Sequence, residues 1–245
     1  PARRRAASPA ASSPRSNYHA FYQLLAAAAA AKHGIDADVK KQWWLGDAKG
    51  FAYVNQSGCY QIDGVDDVAD FGEMRSALNT LRLPEETQSP LLRLLAALLH
   101  LGNVKFGAED DKEKGVEGSK VVREPVAKGA KESSAQAVAQ LLQVVPQALH
   151  TALTSRLMVT QRGSSYSIPL KPAEAEDARD ALATAIFCGI FSWLVARVNT
   201  SIEDAVAEHA NTVSDDDDDD DDEEAAAAAE GSGSASGGSP PAGGR

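Results

Sequence analysis

The chain has 245 residues, a formal net charge of −11 and two cysteines. The charge sits at the ends: eleven acids lie in 214–245 against a single Arg, and four Arg lie in the first sixteen residues, so the middle is only mildly acidic, near −5. That excludes an electrostatic footprint for nucleic acid, and Cys59 and Cys188 are too few for a disulfide framework and fit a reducing compartment. Residues 1–16 (PARRRAASPAASSPRS) and 214–245, an acidic run followed by alanines and Gly/Ser/Pro, have no apolar stripe and are expected to be disordered. The folded part is therefore 17–213, long enough for one core. The chain starts without Met and shows no signal peptide, as a processed or truncated product would.

Taken in order, the elements are mainly helical. Ser16 or Asn17 can cap a helix running to about Lys32, with Tyr18, Phe21, Tyr22 and Leu25 on one face and His33-Gly34 as its stop. In the segment Asn55–Asp67, Gly58 and Gly64 suit tight turns, Cys59 and Ile62 are expected in the core, and Asp66 or Asp67 caps the next helix. That helix carries Val68, Phe71, Arg75, Leu78 and Leu81 on its stripe. A third follows Leu83 and ends at Gly102-Asn103. Pro90 within it should kink the helix or start it anew with Ser89 as cap. From Val104 to about Lys131 the pattern weakens to strand-like scraps at VKF and KVV and reads as a mobile surface insertion.

Ser133 or Ser134 caps a further helix, and Pro146 opens a shorter one through Leu153. LMVTQRGSSYSIPL reads as an irregular hairpin or projecting loop. The longest helix spans roughly Ala173 to Glu208, with Ala178, Leu182, Ile186, Ile190 and Leu194 recurring every four residues. Its middle, Ala181–Ala196, is apolar on nearly all faces. It falls short of the roughly 18–20 residues of a membrane span and is expected to thread the core. The fold class is mainly α: a helical subdomain with a long core helix and minor β hairpin or strand elements.

No reactive constellation accompanies these elements. Cys59 has no partnered base, His19 and His100 lie on apolar helices and read as packed rather than ligating, and Trp43-Trp44 read as packing residues.

Five stretches in order, NYHAFYQLL, VNQSGCYQIDGVDDVADF, LLAALLHLGNVKF, ALTSRLMVT…RGSSYSIPL and EDARDALATAIFCGIFSWLVARVNTSI, resemble the myosin motor domain over about residues 16–203. The resemblance is to most of that family's upper 50-kDa subdomain. It implies an actin-based, ATP-driven cytoskeletal motor, cytoplasmic and on the actin cytoskeleton, when the complete head is present. It also implies ATP and Mg2+ for the complete motor, with no cofactor and no metal held by this stretch. The family's Gly-x-x-x-x-Gly-Lys-Ser/Thr phosphate loop and its two switch segments do not occur in these residues, so this stretch alone is expected to neither bind nor hydrolyse ATP. The alternative is a non-enzymatic motor remnant acting as a protein-binding module.

The same resemblance makes Arg156–Pro169 an actin-facing loop, with Arg156, Arg162, Ser164 and Tyr166 as its contact residues. It also places a regulatory phosphorylation position sixteen residues before Asp180, at Ser164. A heavy-chain kinase would read the basic Arg162 before it and Tyr166 after it. The plainer readings are a polar turn for Ser164 and a surface ion pair for Arg156. The helix from Ala173 would couple actin contact to the nucleotide site. Two departures from the family are Ala26–Ala31 in place of a more varied stretch and Thr184 where a Lys is usual.

Overall fold

The computed structural model describes residues 18–111, 116–161 and 163–216. The chain divides into two units, residues 1–195 and 196–245. The expectations for residues 1–17, for Arg162 and for 217–245 fall outside the described residues, and of the tail expected from residue 214, residues 214–216 lie in the last helix.

The first unit is built on helices. α1 (His19–Ala30) buries Phe21, Tyr22, Leu24, Leu25, Ala27 and Ala28. Its alanine run has a packing consequence: Ala27 and Ala28 are buried, and α1 lies against α4 (Asp67–Thr80) and α5 (Glu85–Leu101). Gly72 on α4 accommodates the same approach, because a Cβ there would sit 2.6 Å from the His33 ring. Ala31 (φ 52) ends α1 in a left-handed cap whose N–H bonds to Ala27 O, and His33 and Gly34 follow with positive φ. The residue flanking the helix at its start is Tyr18, whose side chain makes no cap. His19 is exposed, so the expectation that it packs is corrected.

Between α1 and α4 the chain forms elements that the sequence pattern did not announce. These are α2 (Ala37–Gln42), a 3-10 turn (Ala48–Gly50) and α3 (Ala52–Asn55). Asp36 starts α2 by accepting from the Asp38 and Val39 amides at 3.0 and 2.8 Å. Trp43 is core and Trp44 packs against its edge. In the following loop Gly58 (φ 67) and Gly64 (φ 80) supply the left-handed turns, and Asp66 is the cap of α4. Cys59 and Ile62 are half-buried, not core, since this loop runs along the surface; the Cys59 thiol donates to Gln61 O at 3.3 Å.

α5 is one helix through Pro90, contrary to the break or restart expected at Ser89. Pro90 removes only the bond to the Glu86 carbonyl. The turn around it is pinned by Gln88, whose buried amide donates to Asn79 Oδ1 (2.7 Å) and Leu83 O (2.6 Å). The last turns, Leu95–Leu101, are buried throughout. The segment expected as a mobile insertion, Val104 to about Lys131, instead carries a pair of strands. In it β1 (Phe106–Asp111) pairs antiparallel with β2 (Val116–Val121), and Phe106 and Val121 pack on the core. Both strand-like scraps lie in or beside these strands, and burial on one face fixes their register.

α6 (Ser134–Leu142) begins with a capping box between Ser133 and Gln136, and Pro146 is the first residue of α7 (Pro146–Thr154). β3 (Ser155–Val159) and β4 (Ser165–Pro169) form a regular antiparallel hairpin. α8 (Pro172–Asp216) follows directly.

α8 does not thread the core. Ala175 is buried, and Leu182, Ala183, Ile186, Phe187 and Ile190 rest partly buried on the core, while Phe191, Trp193 and Val195 are exposed. Pro172–Asn211 contains an 18-residue window of mean hydropathy 1.8 with none of it buried, so by length and composition it passes as a membrane span, which the count over Ala181–Ala196 did not foresee. A soluble protein's core helix passes the same test, and length and composition assign this one no membrane location.

His100 is fully buried, with Nε2–H donating to Trp43 O at 2.8 Å and the Phe51 ring edge-on at 5.2 Å. Burial lowers its pKa from the ordinary histidine value, against the smaller opposing effect of the Trp43 hydrogen bond. The unfolded chain therefore binds the proton first. Stability is full above about pH 6.5 and falls as the pH drops below it, by up to about 1.4 kcal/mol per pH unit. Urea melts between pH 8 and 5 should show this loss, and His100→Gln should flatten it.

Candidate functional site

The β3–β4 hairpin carries the residues singled out in the sequence. Ser155–Val159 pairs with Ser165–Pro169 so that Arg156 faces Ile168 and Met158 faces Tyr166. Because strand side chains alternate, Arg156, Met158, Tyr166 and Ile168 share one face, and Leu157 and Val159 lie on the other. Arg156 and Tyr166 are thus diagonal neighbours. Leu157, Met158, Val159 and Tyr166 are all more than half exposed, so apolar side chains project from both faces of a two-stranded arm.

Ser164 lies in the connecting turn and is exposed. Its carbonyl accepts from Thr160 N (2.8 Å) and Thr160 Oγ1 (3.2 Å), while Gly163 (φ 82) supplies the reversal. The backbone is held and the hydroxyl is carried at the tip. Arg156 is exposed, and Arg162 lies outside the described residues.

The arm is anchored at its base. Leu170 is buried and its amide donates to Thr154 O at 2.8 Å. Lys171 pairs with Glu117 of β2 at 2.5 Å, and this holds the Lys171 pKa up and the Glu117 pKa down. Gly118 lets the two hairpins meet, since a Cβ there would lie 3.2 Å from Pro169 Cβ and 3.1 Å from Glu109 O. Glu174 closes the start of α8 by accepting from the Lys171 amide at 2.9 Å.

Two turns along α8 lies a polar cluster that the sequence reading missed. Tyr53 Oη donates to Asp180 Oδ1 at 2.6 Å, and Arg179 donates to the same carboxylate through Nε (2.8 Å) and Nη2 (3.1 Å). Burial raises the Tyr53 phenol well above its ordinary value, and the Asp180 carboxylate raises it further. For Asp180, burial pushes upward but is outweighed by the hydrogen bonds from Arg179 and Tyr53, which hold the carboxyl below its usual range. Asp180 stands in the quoted stretch EDARDALATAIF and Tyr53 immediately precedes VNQSGC, but they are 127 residues apart and no local spacing joins them.

A cavity of about 330 Å³ lies beside this cluster, lined by Tyr18, Phe21, Tyr53, Asp180, Thr184 and Phe187, among others. The charge on its wall is the Asp180 carboxylate, so it offers nothing to a triphosphate. Among the described residues no group of three His, Cys, Asp or Glu could hold a metal ion. The described residues that line this cavity do not fit ATP or Mg2+.

A motor-domain stretch is what the hairpin, the helix and the quoted motifs define together. The family model for the myosin head (motor domain) matches residues 10–214, and the chain belongs to that family. It is 41% identical over 186 residues to the Myosin-I heavy chain of Dictyostelium discoideum, covering 76% of this chain and 7% of that protein. It is 34% identical to the Myosin IB heavy chain of the same organism, over 80% of this chain and 17% of that protein. With human Unconventional myosin-XV it shares 36% identity over 76% of this chain and 5% of that protein. The chain therefore spans a small part of the length of these relatives.

The Asp180 carboxyl has a depressed pKa in the fold, so its contribution is full above the ordinary carboxylate pKa of about 3.9 and is lost as pH falls through the lower folded value. Asp180→Asn should be less stable than the parent chain at pH 7. The gap should close below about pH 3.9, as read from urea midpoints of both proteins down to pH 2.5.

Proposed function

We propose that this chain supplies part of an actin-based, ATP-driven cytoskeletal motor head, cytoplasmic and acting on the actin cytoskeleton. In this reading the β3–β4 hairpin is the actin-facing loop and α8 couples it to the nucleotide site. ATP and Mg2+ are held by parts of the complete motor outside this stretch, and this stretch by itself binds no nucleotide. The observation that carries the reading is the arm itself. It exposes Leu157, Met158, Val159 and Tyr166, where a free surface would be polar, and it leads through two residues into a 45-residue helix. Arg156 and Tyr166 on one face suit a partner that presents carboxylates beside apolar surface.

Ser164 at the tip is the switch in this proposal. A heavy-chain kinase would add about −1.5 to −2 charges and three acceptor oxygens there. The turn backbone is already held by Thr160, so the phosphate acts on a partner rather than on the hairpin's fold.

A second reading, a non-enzymatic module that binds a protein partner, is favoured by the exposed Phe191, Trp193 and Val195 on α8. Actin activation in a complete head separates the two.

In a complete head containing this stretch, Ser164→Glu should raise actin-activated ATP turnover over Ser164→Ala by about tenfold at low salt, the equivalent of about 1.4 kcal/mol of contact energy. The difference should shrink as the screening length falls to about 8 Å near physiological ionic strength. Equal rates for the two variants at low salt would leave Ser164 as a turn residue only.

A further inference from the structure

Within the first unit, α8 rests on the other elements through a narrow apolar strip, Leu182 to Ile190, and through the polar cluster at Arg179 and Asp180. Three consecutive residues at the junction of α5 and β1 organise that cluster, each by different chemistry. Gly102 provides space: a Cβ at this position would sit 2.8 Å from the Tyr53 ring, so only glycine lets the ring lie flat over the end of α5. Asn103 provides alignment. Its Oδ1 accepts from Ala52 N at 2.8 Å and its Nδ2 donates to Gly50 O at 2.7 Å, which fixes the segment that carries Tyr53. Val104 provides an acceptor, its carbonyl taking a 2.9 Å bond from Arg179 Nη1.

Arg179 therefore holds the body of the unit with one nitrogen and Asp180 with two others, and Tyr53 holds Asp180 from the opposite side. The Arg179 side chain is 14% exposed, so its bond to the Val104 carbonyl is the sheltered one, while the Asp180 side chain is 51% exposed and its bonds to Tyr53 and Arg179 lie at the surface. A Lys at position 184 would offer a cation one turn away from Asp180. Here the Thr184 hydroxyl donates to the Asp180 carbonyl instead, and the carboxylate is left to Tyr53 and Arg179.

We propose that Gly102, Asn103 and Val104 with Tyr53, Arg179 and Asp180 form a positioning clasp, which fixes α8 and the hairpin feeding into it on the α5–β1 junction. They act by setting where the arm and its helix stand. The hairpin has its own exposed anchor at Lys171 and Glu117. The clasp is the partly buried anchor, placed between that hairpin and the apolar stretch of α8. Its role in actin coupling rests on the motor reading above, whereas its role in holding α8 does not.

The test uses Tyr53→Phe, which keeps the ring over Gly102 and removes only the hydroxyl. In the full chain, hydrogen exchange of the α8 amides from Ala181 to Ile190 should accelerate by about tenfold or more, while those of Leu95–Leu101 in α5 keep the parent rate. Gly102→Ala, which displaces the ring, should give the same local pattern. Unchanged α8 exchange in both variants overturns the clasp, and so does an equal acceleration in α5, which would mean general destabilisation. In a complete head, Tyr53→Phe should raise the actin concentration for half-maximal activation and leave turnover without actin unchanged. Local exchange that accelerates with no change in actin dependence would uphold the clasp and overturn its part in actin coupling.

Discussion

The last two turns of α5 impose the constraint on which the rest depends. Leu95 to Leu101 is a run of leucine and alanine broken only by His100, and every residue in it is buried. A helix segment apolar on all sides must be surrounded, and each fully buried Leu contributes about 1.5–3 kcal/mol only if its surroundings are complete. α1, α3 and α6 all pack on α5. The small residues at those contacts follow from it: Ala96 and Ala97 on α5, Ala27 and Ala28 on α1 and Ala137 and Ala139 on α6 are all buried, which lets backbones approach where larger side chains would separate them.

An apolar core helix still has polar groups to satisfy, and that requirement shapes its margins. The His100 ring donates to Trp43 O and fixes the turn after α2. Gln88 holds the chain between α4 and α5. At the far end, Asn103 takes up the backbone of residues 50–52, and Arg179 caps the Val104 carbonyl. Unpaired groups at these depths would each cost about 1–3 kcal/mol, so the long-range connections of the unit fall where α5 ends. The helix that carries the proposed coupling role is attached at that same place.

The proposed function uses this division of labour. The body is apolar and closed, while the arm of β3 and β4 is held at its base by Leu170, by Gly118 against Pro169 and by the Lys171–Glu117 pair, leaving its apolar side chains exposed. A surface that keeps Leu157, Met158 and Val159 in water has not minimised its own free energy and suits a partner. The exposed Phe191, Trp193 and Val195 on α8 belong to the same argument. In the proposed reading these exposed faces meet a partner or other parts of a complete head.

The sequence by itself determined the family, the order of the main helices and their starts: Asp66, Ser133 and Pro146 act locally, through groups within one turn of the helix they open. It also placed Arg156, Ser164 and Tyr166 on one projecting segment, because hairpin residues are close in sequence. The continuity of α5 through Pro90 was a tertiary matter, since Gln88 and the buried leucines offset one missing hydrogen bond. So was the pairing of β1 with β2, whose weak pattern is stabilised by packing of Phe106 and Val121 on the core. Periodicity read α8 as a core helix because it reports how apolar a helix is, not what stands beside it. The Tyr53–Asp180 bond was likewise invisible in the sequence, since two polar residues 127 positions apart meet only once the core between them has closed.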